Sequence, residues 1–164
     1  MKKTGFTLIE MLIVLSVSAM LTTMMIFYTR AGERQILLLR EQAKLVSALL
    51  RAKSLAIQTY TTTASEICGY GVRFETTRYL IFKELCSNND LQYTDASEDV
   101  EVIPLNSAIQ FLNPTLTEVL FIPPDPQTIL TPAQTTAVIT IALTIDSAAT
   151  VIVKVNNAGQ ITTQ

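Results

Sequence analysis

A long apolar run near the N-terminus constrains this chain more than any other feature. From Phe6 to Tyr28, 17 of 23 residues are apolar, Glu10 is the only charged residue, and there is no proline or glycine. As an α-helix rising about 1.5 Å per residue, the run reaches about 34 Å, enough to cross a bilayer core about 30 Å thick. Only 16% of the whole chain is charged, against roughly 25% in a typical soluble domain. We therefore predict a transmembrane helix.

Three interpretations of this N-terminus compete. A secretory signal peptide would use Lys2 and Lys3 as its basic region and a cleavage site near residues 16–18, but Glu10 interrupts a core that should be purely apolar. A plain membrane anchor would carry Glu10 at a cost of roughly 2.5–3.5 kcal/mol at the bilayer centre and less near the interface. A carboxylate inside a membrane segment is by default functional, however, and calls for a partner.

The third interpretation rests on a sequence resemblance. The stretch "KKTGFTLIEMLIVL" at residues 2–15 resembles the N-terminus of prepilins of the type IV pilus and type II secretion families. The resemblance implies that a prepilin peptidase cleaves between Gly5 and Phe6 and methylates the new N-terminus at Phe6. It also implies that Glu10 of one subunit meets the α-amine of Phe6 on its neighbour. Such pairing relieves the cost of burying two unpaired charges.

The resemblance and the residue pattern together predict how the chain is organised. Residues 1–5 form the leader peptide, 6–29 a transmembrane assembly helix, 30–60 its amphipathic continuation and 61–164 an extracytoplasmic antiparallel β domain. The charges flanking the apolar run do not decide its orientation. The resemblance implies a single-pass inner-membrane protein with its body outside the cytoplasm, which then joins a pilus or pseudopilus. The implied partners are the prepilin peptidase, other pilin or pseudopilin subunits, an inner-membrane assembly platform and membrane lipid.

Residues 33–58 lack proline and continue the helical pattern beyond the membrane. A narrow polar stripe opposes an apolar arc that is wider than one sheet face requires. The stripe comprises Arg40, Lys44, Ser47, Arg51, Ser54 and Gln58, and the arc comprises Leu38, Leu45, Leu49, Ala52 and Ala56 with Leu39, Val46, Leu50 and Ile57 beside them. Two interpretations stay open: the whole arc packs on the chain's own domain, or part of it packs on neighbouring helices in a filament.

After residue 65 the apolar residues alternate with period two, which predicts strands. The expected fold is α+β, with one long N-terminal helix packed on an antiparallel sheet. Residues 123–132 hold four prolines and must form a loop or a sheet edge. In the last two long strands we expect inward faces made by Ile139, Ile141, Leu143 and Ile145, and by Val151, Val153 and Val155. Strands are predicted at residues 100–104, 108–111, 118–122, 137–145 and 150–155, with a turn at 156–159.

Residues 66–86 predict a hairpin that carries both cysteines of the chain. If Phe74 faces Leu80, then Val72 faces Phe82 and Cys68 faces Cys86. One register thus pairs the apolar residues and the cysteines, and an extracytoplasmic domain favours a Cys68–Cys86 disulfide. Directly opposed cysteines on adjacent strands often have strained geometry, so two free thiols remain the alternative.

The second half of the chain extends the resemblance to a subfamily. The stretches "SALLRAKSLAI", "ICGYGVRF" and "IVKVNNAGQI" resemble the pattern of minor pilins and pseudopilins of the GspH/FimT type. The expected function is therefore that of a structural subunit, a minor pilin or pseudopilin of a type IV pilus or a type II secretion pseudopilus. The alternative is a binding subunit displayed on a pilus, for adhesion or DNA uptake.

Composition argues against catalysis and against nucleic-acid binding. The chain has no histidine, two cysteines and five scattered glycines, so it offers no nucleophile–histidine pair, no usual zinc site and no phosphate-binding loop. We predict no enzymatic activity, no cofactor and no metal. Beyond residue 84 the only basic residue is Lys154, against eight acidic residues. This half therefore lacks the basic surface that nucleic-acid binding requires.

Overall fold

The computed structural model describes residues 7–60, 66–87, 90–112, 116–123 and 127–164. The chain divides into two units, the first ending at Leu37 and the second comprising Leu38–Gln164. An N-terminal helix and nine strands make up the described part, and the α+β class predicted from the sequence is confirmed.

Helix α1 comprises Leu8–Tyr60. It begins after Thr7, a residue type that favours helix starts, and Gly32 is its only glycine. Within the second unit one face of α1 is buried. Its buried apolar residues are Leu38, Leu45, Ala48, Leu49, Ala52 and Ala56. These residues recur at helical spacing, so the apolar pattern of the sequence and the buried face of the helix coincide.

The strands form two antiparallel sheets. Sheet A has the order β3-β2-β1-β5-β6 and sheet B the order β4-β7-β8-β9. The strands are β1 (Ile67–Phe74), β2 (Arg78–Leu85), β3 (Asp99–Pro104), β4 (Ile109–Leu112), β5 (Glu118–Ile122), β6 (Gln127–Thr131), β7 (Thr136–Leu143), β8 (Thr150–Asn156) and β9 (Ile161–Thr163), with a 3₁₀ turn at Ala96–Glu98.

The strands divide between two antiparallel sheets, a division that the predicted α+β fold did not specify. Period-two alternation indicates which face of a strand is buried, but it does not indicate which strands are neighbours. Helix α1 contacts both sheets: the Arg51 side chain bonds to Glu101 of sheet A, and the Gln42 side-chain amide donates to the Ile152 carbonyl of sheet B at 2.9 Å. The Lys53 ammonium also donates to the Gly159 carbonyl, in the turn between β8 and β9, at 2.9 Å. The proline-rich stretch behaves as predicted where it is described, because β6 is an edge strand.

The β1–β2 hairpin differs from its predicted register by one residue. Phe74 pairs with Tyr79, not Leu80. The Glu75 amide donates to the Arg78 carbonyl at 2.9 Å, which closes a two-residue turn at Thr76 and Thr77. Two-residue turns match the natural twist of paired strands and are the commonest hairpin connection. The predicted register had no such turn, and this is the physical reason it was wrong.

The hairpin's core depends on a residue with no side chain. A Cβ atom at Gly71 would lie 2.5 Å from the ring of Phe82 and 2.7 Å from the Val119 carbonyl oxygen. Glycine therefore allows the Phe82 ring to lie across β1. Phe82 is fully buried with Leu80 and Leu120, and the ring of Tyr93 meets it edge-on at 5.6 Å between centroids.

Sheet B follows the predicted alternation except at one residue. Ile139, Ile141 and Leu143 are buried, as are Val153 and Val155, while Val151 is half-buried. Ile145 was expected on the same face but is 82% exposed. Strand β7 ends at Leu143, and Ile145 belongs to the following turn, where the alternation of a strand no longer applies.

Candidate assembly site

The first half of α1 has the length and composition of a membrane span. Leu8–Ile26, 19 residues long with a mean hydropathy of 2.0, presents its side chains outward, and none of it is buried by the protein. At about 1.5 Å per residue it measures about 28 Å, close to the hydrocarbon thickness of a bilayer. An apolar surface of this size without a protein partner requires a lipid or protein environment. This segment is long and apolar enough to anchor the chain in a membrane with a single pass.

Three hydroxyl side chains inside this segment bond to carbonyls of the same helix. The hydroxyl of Ser16 donates to the Ile13 carbonyl, and the hydroxyl of Thr22 donates to the Ser18 carbonyl, both at 2.8 Å. Thr23 bonds in the same way to the carbonyl four residues before it. A bilayer core offers no water to these groups, so internal bonding removes most of the cost of carrying them.

Glu10 lies in the first turn of α1, where its side chain bonds to Thr7. The Glu10 carboxylate accepts from the Thr7 hydroxyl at 3.4 Å and from the Thr7 amide at 3.5 Å, and the Glu10 amide donates to the Thr7 hydroxyl at 3.4 Å. This reciprocal arrangement is a capping box. The box was not predicted from the sequence, although the spacing in "TLIE" is the signal for one. Gly5 and Phe6 lie outside the described residues.

Along the second half of α1, the predicted apolar arc divides into a buried and an exposed part. The buried part faces the sheets, whereas Leu39, Leu50 and Ile57 are each about half exposed, at 50%, 52% and 53%. Val46, which is partly buried, lies between them at helical spacing. These four residues, here called the apolar stripe, have the spacing that lets a helix pack against another helix.

Cys68 and Cys86 are joined by a disulfide, with their Cα atoms 4.9 Å apart. The β1–β2 pairing shifts by one residue between Ile67 and Gly69, so Cys68 occupies a β-bulge. The Cys86 amide donates to the Glu66 carbonyl at 2.8 Å, so the disulfide links Cys86 to a residue two positions from its backbone partner. The disulfide closes the end of the hairpin opposite to its turn.

Three buried carboxylates hold the segment 91–94 against the outer face of sheet A. Each accepts a backbone N–H from that segment. The donor–acceptor pairs are Leu91 to Glu84 at 3.2 Å, Tyr93 to Glu118 at 3.2 Å and Thr94 to Glu98 at 2.8 Å. Arg73 completes the arrangement, because it bonds to Glu118 at 2.6 Å and lies 4.6 Å from the centre of the Tyr93 ring. Nothing in the sequence pattern predicted that these glutamates are buried.

Glu84 has the most perturbed environment of these carboxylates. Burial, together with the nearby carboxylates of Asp90 and Glu98, raises its pKa to about 7, although the Leu91 amide lowers it. Its second oxygen has no hydrogen-bond partner among the described residues. Across that same part of the chain, no three acidic or cysteine side chains are grouped in a way that could hold a metal ion.

The N-terminal segment has a counterpart among known protein families. Residues 1–26 match the family model of the prokaryotic N-terminal methylation motif. This is the N-terminal motif of type IV prepilin-like proteins, and it implies processing by a prepilin peptidase and assembly with other pilins. No curated protein and no solved structure matches the chain.

Proposed function

We propose that this prepilin-like protein is a minor pilin or pseudopilin, a structural subunit and not an enzyme. In this proposal residues 1–5 are the leader, and cleavage between Gly5 and Phe6 is followed by methylation of Phe6. The helix 6–29 then anchors the subunit in the inner membrane until the assembly platform moves it into a pilus or pseudopilus. The β domain, residues 61–164, lies outside the cytoplasm.

Glu10 is the observation that carries this proposal. It is the only charged residue in a span that is otherwise uncharged and mostly apolar. It lies four residues after the proposed new N-terminus. Without a partner, a carboxylate and an amine in an apolar layer are both costly. Pairing between Glu10 and the amine of Phe6 on a neighbouring subunit removes both costs and fixes the axial register of the two helices.

The apolar stripe supports assembly from a second part of the helix. Leu39, Leu50 and Ile57 leave about half of their surface uncovered, although each buried methylene is worth about 0.8 kcal/mol. Helices of neighbouring subunits are the partners that this spacing suits. No observation in the described residues favours the alternative role in adhesion or DNA uptake.

An intact mass of the protein from membranes of its native host tests the processing step. The proposal expects loss of the first five residues, gain of one methyl group on Phe6, and two hydrogens fewer from the Cys68–Cys86 bridge. A full-length mass in cells with an active prepilin peptidase would contradict it.

Three variants separate the two roles that Glu10 can have. Glu10→Gln keeps the capping box, which accepts glutamine at this position, but removes the charge. Thr7→Val removes the hydroxyl of the cap and keeps the charge. Glu10→Val removes both. If Glu10 pairs with the amine of Phe6, Glu10→Gln and Glu10→Val enter filaments poorly while Thr7→Val assembles almost normally. Equal assembly of Glu10→Gln and wild type would overturn the proposed role, with membrane insertion of each variant as the control.

A further inference from the structure

A groove of about 470 Å³ opens between α1 and the β3 side of sheet A. The helix contributes basic and small residues to it, and the sheet contributes Tyr79, Ile81, Glu101 and Ile103. The helix residues are Arg40, Ala43, Lys44, Ser47, Ala48 and Arg51. All of these belong to the second unit of the chain, and none of them belongs to the apolar stripe.

Strand β3 forms one edge of sheet A beside this groove. The Leu105 amide donates to the Thr77 carbonyl, so the backbone groups of Leu105 point toward β2. Backbone groups along a strand alternate in direction, so those of Ile103 and Glu101 also point toward β2. The N–H and C=O of Val102 consequently point away from β2. No strand in the described part of the chain pairs with them. Unpaired edge groups of this kind are a template for another strand.

The groove contains a buried donor without an acceptor. Tyr79 is 1% exposed, and its hydroxyl has no hydrogen-bond partner among the described residues. Burial and the carboxylates of Glu41 and Glu101 raise the pKa of Tyr79 to about 12, so the hydroxyl keeps its proton. A buried hydroxyl without a partner costs roughly 1–3 kcal/mol, and a polar group entering the groove would recover part of that cost.

The basic residues of the groove are not fully paired. Arg51 bonds to Glu101, and Lys44 bonds to Glu41 at 2.8 Å. Arg40 has no ion pair among the described residues, and its side chain is exposed. The helix wall of the groove therefore retains a positive charge next to an unpaired strand edge.

We propose that the edge of β3 and this groove bind an extended acidic peptide segment of another chain, which adds to sheet A as a further strand. Side chains alternate across a strand, so those opposite Glu101 and Ile103 would face α1. Because Arg51 is paired with Glu101 and Lys44 with Glu41, the acidic side chain belongs opposite Ile103, where Arg40 neutralises it. This inference concerns the isolated subunit and does not depend on filament assembly.

The new ladder is short, and its length sets the expected affinity. The β2–β3 register shifts between Ile81 and Phe82, which makes Val100 a bulge residue, and Pro104 has no N–H to donate. Val102 therefore supplies the only outward N–H in the regular part of the strand. Recognition of this kind combines main-chain hydrogen bonds with side-chain contacts in the groove. Removing either set of contacts should therefore weaken peptide binding measurably.

The test uses the full-length protein in detergent micelles and two short synthetic peptides. One peptide has glutamate at every second position, with threonine and valine between, and the other has lysine in place of glutamate. The glutamate peptide is expected to bind and the lysine peptide to bind at least about tenfold more weakly, a difference of about 1.4 kcal/mol. Binding is also expected to slow hydrogen exchange at the Val102 amide. Equal binding of both peptides, or no binding, overturns the proposal.

Two matched variants locate the binding site. Val102→Pro removes the outward N–H while sparing the bonds to β2, and Val102→Ala keeps the N–H. The proline variant is expected to weaken binding about tenfold relative to alanine, the equivalent of one main-chain hydrogen bond. Equal affinities of these two variants would rule the edge out.

Arg40→Glu tests the charge without touching the strand, and it decides the outcome if Val102→Pro fails to fold. It is expected to weaken binding of the glutamate peptide and to strengthen binding of the lysine peptide. Peptide binding that survives these changes but is lost in Leu50→Ser would place the peptide on the apolar stripe and contradict the proposal.

Discussion

In the membrane-spanning segment Leu8–Ile26, the hydroxyls of Ser16 and Thr22 bond to carbonyls three and four residues away. In the unit Leu38–Gln164, the side-chain amide of Gln42 instead donates to the carbonyl of Ile152, which is 110 residues away in the sequence. Both solutions give polar side chains a hydrogen-bond partner within the protein. The first needs only a helix, so it holds before any tertiary structure exists. The second needs the folded sheets, so it is lost whenever they come apart.

The same difference applies to apolar side chains, and this gives the largest expected effect. Leu49 is fully buried and Leu50 is 52% exposed. Leu49→Ala should lower the free energy of unfolding of the second unit by about 3 kcal/mol, the usual cost of a cavity left by a buried leucine. Leu50→Ala should lower it by about 0.5 kcal/mol. Thermal or denaturant unfolding in detergent measures both, and equal losses would show that the two faces of the helix do not differ.

The disulfide is the long-range link that can be removed most cleanly. Replacing Cys68 and Cys86 together by serine opens a loop with a sequence separation of 18 residues. The chain-entropy model predicts a loss of roughly 3 kcal/mol in the free energy of unfolding. Leu12→Ala in the membrane segment is the matched control, since it should leave this free energy unchanged. A comparable loss in both variants would show that the membrane segment contributes to the free energy of unfolding of the second unit.

Glu84 provides a test through pH. Its folded-state pKa of about 7 lies above the ordinary value of 4.5, so the folded protein favours the protonated carboxyl. The stability that this preference contributes is complete below the ordinary value and is lost as pH rises toward 7. Glu84→Gln cannot ionise, and its free energy of unfolding should rise relative to wild type across that window. Parallel pH profiles of the two proteins would contradict the assignment.

The smallest effect is expected in the membrane segment. Thr22→Val deletes a hydroxyl whose bond is made to Ser18 within the same helix. Membrane insertion should therefore change by less than about 0.5 kcal/mol, the range of substitutions that disturb no tertiary contact. Leu21→Arg at the adjacent position is the control and should cost roughly 2.5–3.5 kcal/mol. An insertion assay compares the two, and a large effect of Thr22→Val would imply a partner outside the helix.

Much of the fold could be predicted because its signals are local. The apolar run predicted the membrane helix, and the alternation after residue 65 predicted strands near β3, β4, β5, β7 and β8. The prepilin-like N-terminus was recognisable from consecutive residues alone, and the methylation motif at residues 1–26 agrees with it. The capping box of Thr7 and Glu10 was equally local and was overlooked.

Other features depend on distant parts of the chain, and the sequence did not specify them. The turn at Thr76 and Thr77 selected a register one residue from the expected one, and a bulge at Cys68 shifts the pairing by one residue more. Strand alternation was compatible with one sheet or two. Glutamate is usually a surface residue, yet Glu84, Glu98 and Glu118 are buried. Each of them accepts a hydrogen bond from a backbone N–H of the segment 91–94.

The sequence by itself therefore determined where this prepilin-like protein has its membrane helix, its processing motif and most of its strands, because those properties arise from residues within a few positions of one another. Only the tertiary structure decided which face of α1 is left exposed, which strands are neighbours and which strands lie at the edges of sheet A. These outcomes follow from packing among residues up to 122 positions apart, such as Gln42 and Gln164, and no local pattern encodes such a contact.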